Sequence, residues 1–398
     1  MEQARTSCSR CHTTQPVGAA FCHRCGLEHA APESPDRRAS FAVDPGQRVR
    51  SFDVVTALLP LSSGTSLRTY KIAIVVGVAI PLIAAAFGWI PFALGAAALA
   101  VPAIFTIYLY DANEWEDEPV PVVLGCLILS GALGAGTGWV IEQVLLGADE
   151  RLGVGAAIDG GFQIRPVLVY GVVTPLVAVV LGLLAPLVLA SRPRFDDMID
   201  GLTFGAVSGA AYAAGDTLMA HRGVLETALG ERGDVATWLS VVANAAAVKP
   251  LLYGTALAIA AASFSGIGAG YEGFGRRFAK GLGIAVVGMV GYGVGVALLA
   301  QWLDPTPAAA LGLAWGLIVT GALVLVLRTQ LHLGLLEAAL EAARGTPNRH
   351  EVTGDARCGR CEMALAPLAL FCSACGASVR ATTKTRRREN TAAAQVHQ

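Results

Sequence analysis

Eight of the nine cysteines form two matched sets, one near each end of the chain. In each set ten residues separate two Cys-x-x-Cys pairs, and each second pair follows a phenylalanine and precedes a glycine. Four such thiolates form the closed tetrahedron that structural zinc prefers, so the sequence predicts two zinc ribbons and two structural zinc ions. Disulfides or a redox pair are the alternative. The predicted ligands are Cys8, Cys11, Cys22, Cys25, Cys358, Cys361, Cys372 and Cys375.

A second group of candidates consists of ionisable residues inside long apolar segments, where a charge is costly and is therefore a candidate for function. Asp216 and Lys249 are the main two. They are either a buried acid and its partner, able to hold water or a substrate backbone, or a structural ion pair, or two side chains that snorkel separately to the interface. The Tyr212 hydroxyl, one turn before Asp216, either satisfies the acid or belongs to a packing aromatic. Glu142 lies close enough to a predicted interface to need no special role.

Membrane-spanning helices must position these residues. The 398 residues are 54% hydrophobic and 15% charged, and the charges concentrate in the ends and in short loops between apolar runs of about 20 residues. This composition predicts an all-α polytopic membrane protein in contact with lipid, and the formal net charge of -1 gives no reason to expect nucleic-acid binding. We predict a bundle of about eight transmembrane helices, at residues 71–90, 92–110, 120–145, 166–190, 200–219, 238–264, 278–302 and 308–327.

Loop charge predicts the orientation of the bundle. An even number of spans places both ends on one side, and lysine and arginine are more frequent on that side, which we therefore expect to be cytoplasmic in the cell membrane. Zinc-bound thiolates also require a reducing compartment, which supports the same orientation independently. Because residues 1–30 are polar and contain four cysteines, we expect no signal peptide, and the first span would direct insertion.

Composition divides the chain into six parts. Dense glycines in the third, fifth and seventh spans predict close helix packing, and Cys126 is expected to be a small core residue. Apolar residues continue at helical spacing beyond the last span as far as Gly345. We predict a zinc ribbon at 1–30, a flexible tether with an interfacial segment at 31–69, the transmembrane domain at 70–328, a cytosolic amphipathic helix at 329–345, the second ribbon at 355–380 and a disordered basic tail at 381–398.

Three phrases carry a resemblance to a known family. Glu118-Pro119 precedes the third span, a Pro-Leu-Val lead-in occupies residues 175–177, and a Phe-Asp-Asp turn occupies residues 195–197. With these phrases, residues 108–327 resemble the PrsW-type intramembrane proteases. The acidic loop that ends at Glu118-Pro119 is either a solvated loop or a carboxylate metal site.

The family's catalytic pattern is largely replaced. The resemblance implies two glutamates and a lysine after the lead-in, and Ala178, Val179 and Gly182 occupy those positions. Tyr212 and Asp216 take the places of the family's aromatic residue and acid, and Lys249 lies on or near its histidine position.

These observations favour a non-catalytic scaffold or regulatory protein that binds a cytoplasmic or membrane protein through its ribbons. The alternative is an active intramembrane endopeptidase with a divergent site, in which Asp216 and Lys249 are catalytic. A transporter or lipid-handling bundle is a third possibility, which would call for broken helices and internal repeats. The substrate, the partner, the oligomeric state and any pairing of the two ribbons are left open.

Overall fold

The computed structural model of the protein describes residues 5–9, 11–16, 19–24, 27, 29, 67–111, 120–141, 143, 162–192, 195, 197–225, 234–266, 271–344, 365, 369 and 372–374. Nearly all of them belong to helices. In chain order the helices are α1 (Leu67–Ala86), α2 (Ile90–Asp111), α3 (Val120–Val140), α4 (Ile164–Ala190), α5 (Met198–Ala220), α6 (Arg222–Leu225), α7 (Val235–Ser265), α8 (Arg276–Trp302) and α9 (Pro305–Arg344).

Six of the described helices are long and apolar enough to cross a membrane. They are α2, α3, α4, α7, α8 and α9, and large apolar side chains cover much of their outward surface, as contact with lipid requires. The protein is thus a helical, multi-pass integral membrane protein. Each of the eight predicted spans falls on a helix, but the described apolar part of α1, Ile72–Ala86, is shorter, and α5 is not among the six.

Helix α5 lies at the centre of the bundle. Eighteen of its residues, from Met198 to Thr217, are buried, and it packs mainly against α7 and α3, with α4 and α2 also in contact. A helix that touches protein all round does not need the apolar side chains that lipid demands, so small residues suffice. They permit very close approach: a Cβ atom at Gly209 would overlap the carbonyl oxygen of Tyr253, and one at Gly215 would overlap that of Gly131.

The predicted boundary between the first two spans was wrong by a few residues. Helix α1 ends at Ala86 rather than near residue 90, and α2 begins at Ile90 rather than residue 92. The cause is Gly88, which has a φ of 81° and places the chain in the left-handed region that ends a helix. The backbone N–H groups of Phe87 and Trp89 then bond to carbonyls of the last turn of α1.

The last helix, α9, is continuous from Pro305 to Arg344, a length of about 60 Å at 1.5 Å per residue. Among the described side chains, the stretch Pro305–Leu331 is apolar enough to cross a membrane, and the helix continues beyond it. The two described strands lie near the start of the chain. Strands β1 (Arg5–Ser7) and β2 (Thr14–Pro16) pair antiparallel, with Thr6 opposite Gln15.

The start of α7 is joined to the start of α9 by Asp234. This residue caps α7 by accepting from the backbone N–H groups of Ala236 and Thr237, at 3.3 Å each, and its carboxylate also accepts from the Thr237 and Thr306 hydroxyls. These bonds lower the pKa of Asp234 to about 2, from an ordinary value of 3.8. The hydrogen bond from Thr306 has the largest effect, followed by the one from Thr237.

We expect Asp234→Ala to lower the melting temperature in detergent at neutral pH. Because the folded-state pKa is lowered, the stabilisation is present above about pH 4 and is lost as the pH falls towards 2. The melting temperatures of the wild type and the variant, measured between pH 7 and pH 2.5, should therefore converge at the acidic end. A constant difference across this range would mean that the ionised carboxylate does not contribute.

Candidate functional site

The structure brings the two ionisable candidates together. The Lys249 ammonium lies 2.7 Å from a carboxylate oxygen of Asp216, and their side chains are 17% and 9% exposed. The ion pair joins α5 to α7 inside the bundle. Separate snorkelling to the interface, one of the three interpretations of these residues, is therefore excluded.

A π-helical turn at Asn244–Val248 delivers Lys249 to this position. Pro250 has no N–H, and its ring would collide with a carbonyl of the preceding turn, so the helix widens by one residue. The Lys249 N–H accordingly bonds to the Asn244 carbonyl, five residues back. The extra residue turns everything after it by about 100° around the helix axis. It thereby decides which face of α7 carries Lys249.

Helix α4 also contains a π-helical turn before a proline. Its π-helical turn, Val169–Val173, precedes Thr174-Pro175, and the Thr174 hydroxyl donates to the Val169 carbonyl at 2.9 Å. These turns distort α4 and α7 without interrupting them, so neither helix is broken in the way that the transporter hypothesis calls for.

Tyr212 does not satisfy the acid as one interpretation expected. Its hydroxyl donates instead to the Thr137 hydroxyl at 2.7 Å, and its ring lies parallel to that of Tyr253, with 6.3 Å between centroids. The Tyr212 side chain thus reaches from α5 to α3. Tyr212 is completely buried, so the bond to Thr137 provides the partner that its hydroxyl needs there.

Three polar residues near the pair are not identified by sequence reasoning: Thr137, Tyr253 and Tyr292. Tyr292 of α8 exchanges hydrogen bonds with Asn244, with its hydroxyl donating at 2.9 Å and accepting from the side-chain amide at 2.8 Å. The sequence offers a signal only for Asn244, the partner of Tyr292. Asn244 lies five residues before Lys249, which is the hydrogen-bond spacing of a π-helical turn before a proline.

His221, directly after the last residue of α5, is held by that helix. Helix α5 continues to Ala220, and the Nδ1–H of His221 donates to the Thr217 carbonyl at 2.9 Å. That nitrogen is therefore occupied by a backbone bond and is not directed at Asp216.

The positions that the family resemblance assigns to glutamates and lysine are packed without polar side chains. Ala178 and Val179 are 0% and 2% exposed, and a Cβ atom at Gly182 would overlap the side chain of Leu257 on α7. The Gly182 carbonyl accepts a bond from the Ser208 hydroxyl at 2.5 Å. The surface that would carry a hydrolytic site is a close contact between α4, α5 and α7.

Close to this contact, two buried serine hydroxyls link α3, α5 and α4. The Ser208 hydroxyl already donates its proton to the Gly182 carbonyl. In the bond between the two serine hydroxyls, at 2.8 Å, Ser130 of α3 is therefore the donor and Ser208 the acceptor. Cys126, one turn earlier on α3, is 3% exposed, with its sulfur 3.9 Å from the Phe204 carbonyl. The prediction that Cys126 is a small core residue is confirmed.

Near the start of the chain, three cysteines could hold a metal ion. The sulfurs of Cys8, Cys11 and Cys22 all lie within 4.8 Å of one another, and those of Cys11 and Cys22 are 3.6 Å apart. A disulfide would bring two sulfurs to about 2.05 Å, whereas a tetrahedral zinc–thiolate site, with Zn–S bonds of about 2.3 Å, separates them by about 3.8 Å. The spacing fits a metal site and not a disulfide.

The β1–β2 hairpin forms the first knuckle. The backbone N–H of Cys8 bonds to the Thr13 carbonyl, and that of His12 bonds to the Cys8 carbonyl, both at 3.0 Å. His29 lies 2.6 Å from the Gln15 amide through Nε2. His23 is half-buried, and this burial, followed by the charge of Arg24, lowers the pKa of His23.

Several predicted residues lie outside the described part of the chain. They are Glu142, residues 112–119 of the acidic loop, Cys25, Cys358, Cys361 and Cys375. Cys372 is described and is 1% exposed. Comparisons of the chain with protein-family models, with curated proteins and with solved structures found no match. Arguments about function therefore rest on the geometry of these sites.

Proposed function

We propose that this protein is a multi-pass membrane scaffold that keeps a PrsW-like helical frame without peptidase activity. The packing at Ala178, Val179 and Gly182 is the observation that carries the proposal, because peptide hydrolysis needs groups that activate water and stabilise an oxyanion. These three residues supply no such side chain. Asp216, the remaining acid, is already paired with Lys249.

The scaffold crosses the membrane eight times. Helix α5 has 23 residues and α1 has 20, which correspond to about 35 Å and about 30 Å, enough to span a hydrocarbon core of about 30 Å. The burial of α5 inside the bundle explains its lower apolar content and supports counting it as a crossing. With eight crossings both ends lie on one side of the membrane, and the excess of lysine and arginine on that side favours the cytoplasm.

Each end carries a zinc ribbon that serves as a docking module for a cytoplasmic or membrane protein. The grouping of Cys8, Cys11 and Cys22 supports the first site, which Cys25 completes as the fourth ligand. The second site has the same spacing, with Cys358, Cys361, Cys372 and Cys375 as ligands. Four thiolates leave no open position on the metal, so its contribution is to hold the knuckles together.

The experiment compares two variants, each expressed in place of the wild type in the cell that naturally makes the protein. We expect Cys22→Ser to shift the protein to a smaller complex on native gels, because a missing ligand unfolds the docking module. The double variant Asp216→Asn/Lys249→Met, which leaves neither charge of the buried pair without a partner, should leave that complex unchanged. Neither variant should alter the set of membrane-protein N-termini measured by mass spectrometry, because a scaffold has no cleavage product to lose.

The endopeptidase alternative draws on the buried Asp216–Lys249 pair and makes the opposite prediction. Cleavage products would then disappear from cells that make Asp216→Asn/Lys249→Met while this variant still accumulates in the membrane. That result, with protein amounts matched between strains, would contradict the scaffold proposal.

A further inference from the structure

The two ends of the chain meet in the structure. The backbone N–H of Phe21 donates a hydrogen bond of 3.0 Å to the carbonyl of Ser373. Phe21 directly precedes Cys22, and Ser373 directly follows Cys372, so the bond joins the second knuckle of one predicted ribbon to the second knuckle of the other. Some 350 residues of sequence, including the whole helical bundle, lie between these knuckles.

The register of this bond fits an antiparallel pairing about a local two-fold axis. The two knuckles share the sequence Phe-Cys-x-x-Cys-Gly, so Phe21 corresponds to Phe371 and His23 corresponds to Ser373.

A two-fold axis that relates these matched positions passes between Cys22 and Cys372. Their burial agrees with a central position, since Cys22 is 0% and Cys372 1% exposed.

We propose that the N-terminal and C-terminal ribbons dock on each other within one chain and form a single cytoplasmic module with pseudo-two-fold symmetry. One backbone hydrogen bond changes an equilibrium constant by only about two- to tenfold, so this bond sets the register of the two ribbons but contributes little to their affinity. Both ribbons are anchored to the same bundle, which raises their effective concentration and favours the paired state. The docking surface of the scaffold is then one composite face rather than two separate modules.

The pairing also restricts the topology. Two segments that touch must lie on the same side of the membrane, so the chain between residues 21 and 373 crosses an even number of times. Six and eight crossings satisfy this requirement and seven do not. This restriction does not depend on loop charge or on the proposed function.

The test asks whether the N-terminal ribbon stays attached once its covalent link is cut. A protease site is inserted within residues 31–46 of the full-length protein, isolated membranes are cleaved and washed, and the fragment containing residues 1–30 is quantified in the pellet and in the wash. We expect the wild-type fragment to remain in the pellet. Phe21→Pro removes the donating N–H and should release about fivefold more fragment, whereas Phe21→Ala keeps the N–H and serves as its matched control.

Zinc content separates loss of pairing from loss of folding. If Phe21→Pro loses its zinc, the double variant Cys372→Ser/Cys375→Ser is used in its place, because that variant disrupts the C-terminal ribbon and leaves the N-terminal ribbon intact. The proposal requires that this double variant release the N-terminal fragment. Complete release from the wild type would overturn the proposal. Retention of a fragment by a second, differently tagged copy of the protein would also overturn it, because the ribbons would then pair between chains.

Discussion

Lys249→Met should destabilise the folded protein by about 3 kcal/mol, because it leaves the carboxylate of Asp216 buried without its partner. Methionine keeps most of the lysine stem, so little packing is lost and the charge accounts for the effect. The measurement is the temperature or denaturant concentration at which the detergent-solubilised protein unfolds.

The double variant Asp216→Asn/Lys249→Met is the matched control. Replacing both members of a buried pair with neutral groups of similar size is often neutral or stabilising, so we expect it to recover most of the lost stability. If Lys249→Met alone were as stable as the wild type, the ion pair would contribute no net stabilisation, and its retention would favour a functional role.

Gly134→Ala should weaken the bundle by about 1–3 kcal/mol or more, because the new methyl group would overlap the Tyr212 carbonyl of α5. Backbone cannot move aside as a flexible side chain can, so α3 and α5 would have to separate. The expected readouts are a lower unfolding temperature and less monodisperse protein in detergent.

Gly136→Ala, two residues along the same helix, provides the control. No atom lies within 4 Å of a Cβ at Gly136, so this change should be neutral or stabilise α3 by about 0.5–1 kcal/mol through the better helix propensity of alanine. Equal effects at the two positions would mean that α3 and α5 do not pack as closely as described.

The helices could be predicted from sequence because lipid imposes a simple requirement on every span. Apolar runs located the eight long helices but not the short α6, and dense glycine indicated where backbones approach, as at Gly134 and Gly209. The boundary near Gly88 was misplaced because a left-handed residue ends α1 within a stretch that is apolar throughout. Helix α5 occupies the predicted range 200–219, but it is not among the six helices long and apolar enough to cross a membrane, and its small residues face protein.

The candidate site was only partly predictable. Asp216 and Lys249 stand out by type, but their contact depends on the π-helical turn before Pro250, which rotates Lys249 relative to an ideal helix. The partner of Tyr212 likewise depends on how α3 packs against α5, and sequence spacing along α5 alone favours Asp216 over Thr137. The contact between Phe21 and Ser373 depends on the path of the whole chain, and the matched spacing of the ribbons only makes it plausible.

The account rests centrally on a closely packed contact at Ala178, the position to which the family resemblance assigns the first glutamate. The most direct test is the reactivity of a thiol placed there by Ala178→Cys, with labelling by a maleimide quantified on the peptide that contains residue 178. Phe274→Cys, at a position that is 80% exposed, is the positive control, and labelling in SDS shows that both thiols are competent. We predict that the thiol at 178 remains unlabelled in the folded protein while the one at 274 reacts fully. Comparable labelling at the two positions would reveal a water-filled cavity and contradict the account.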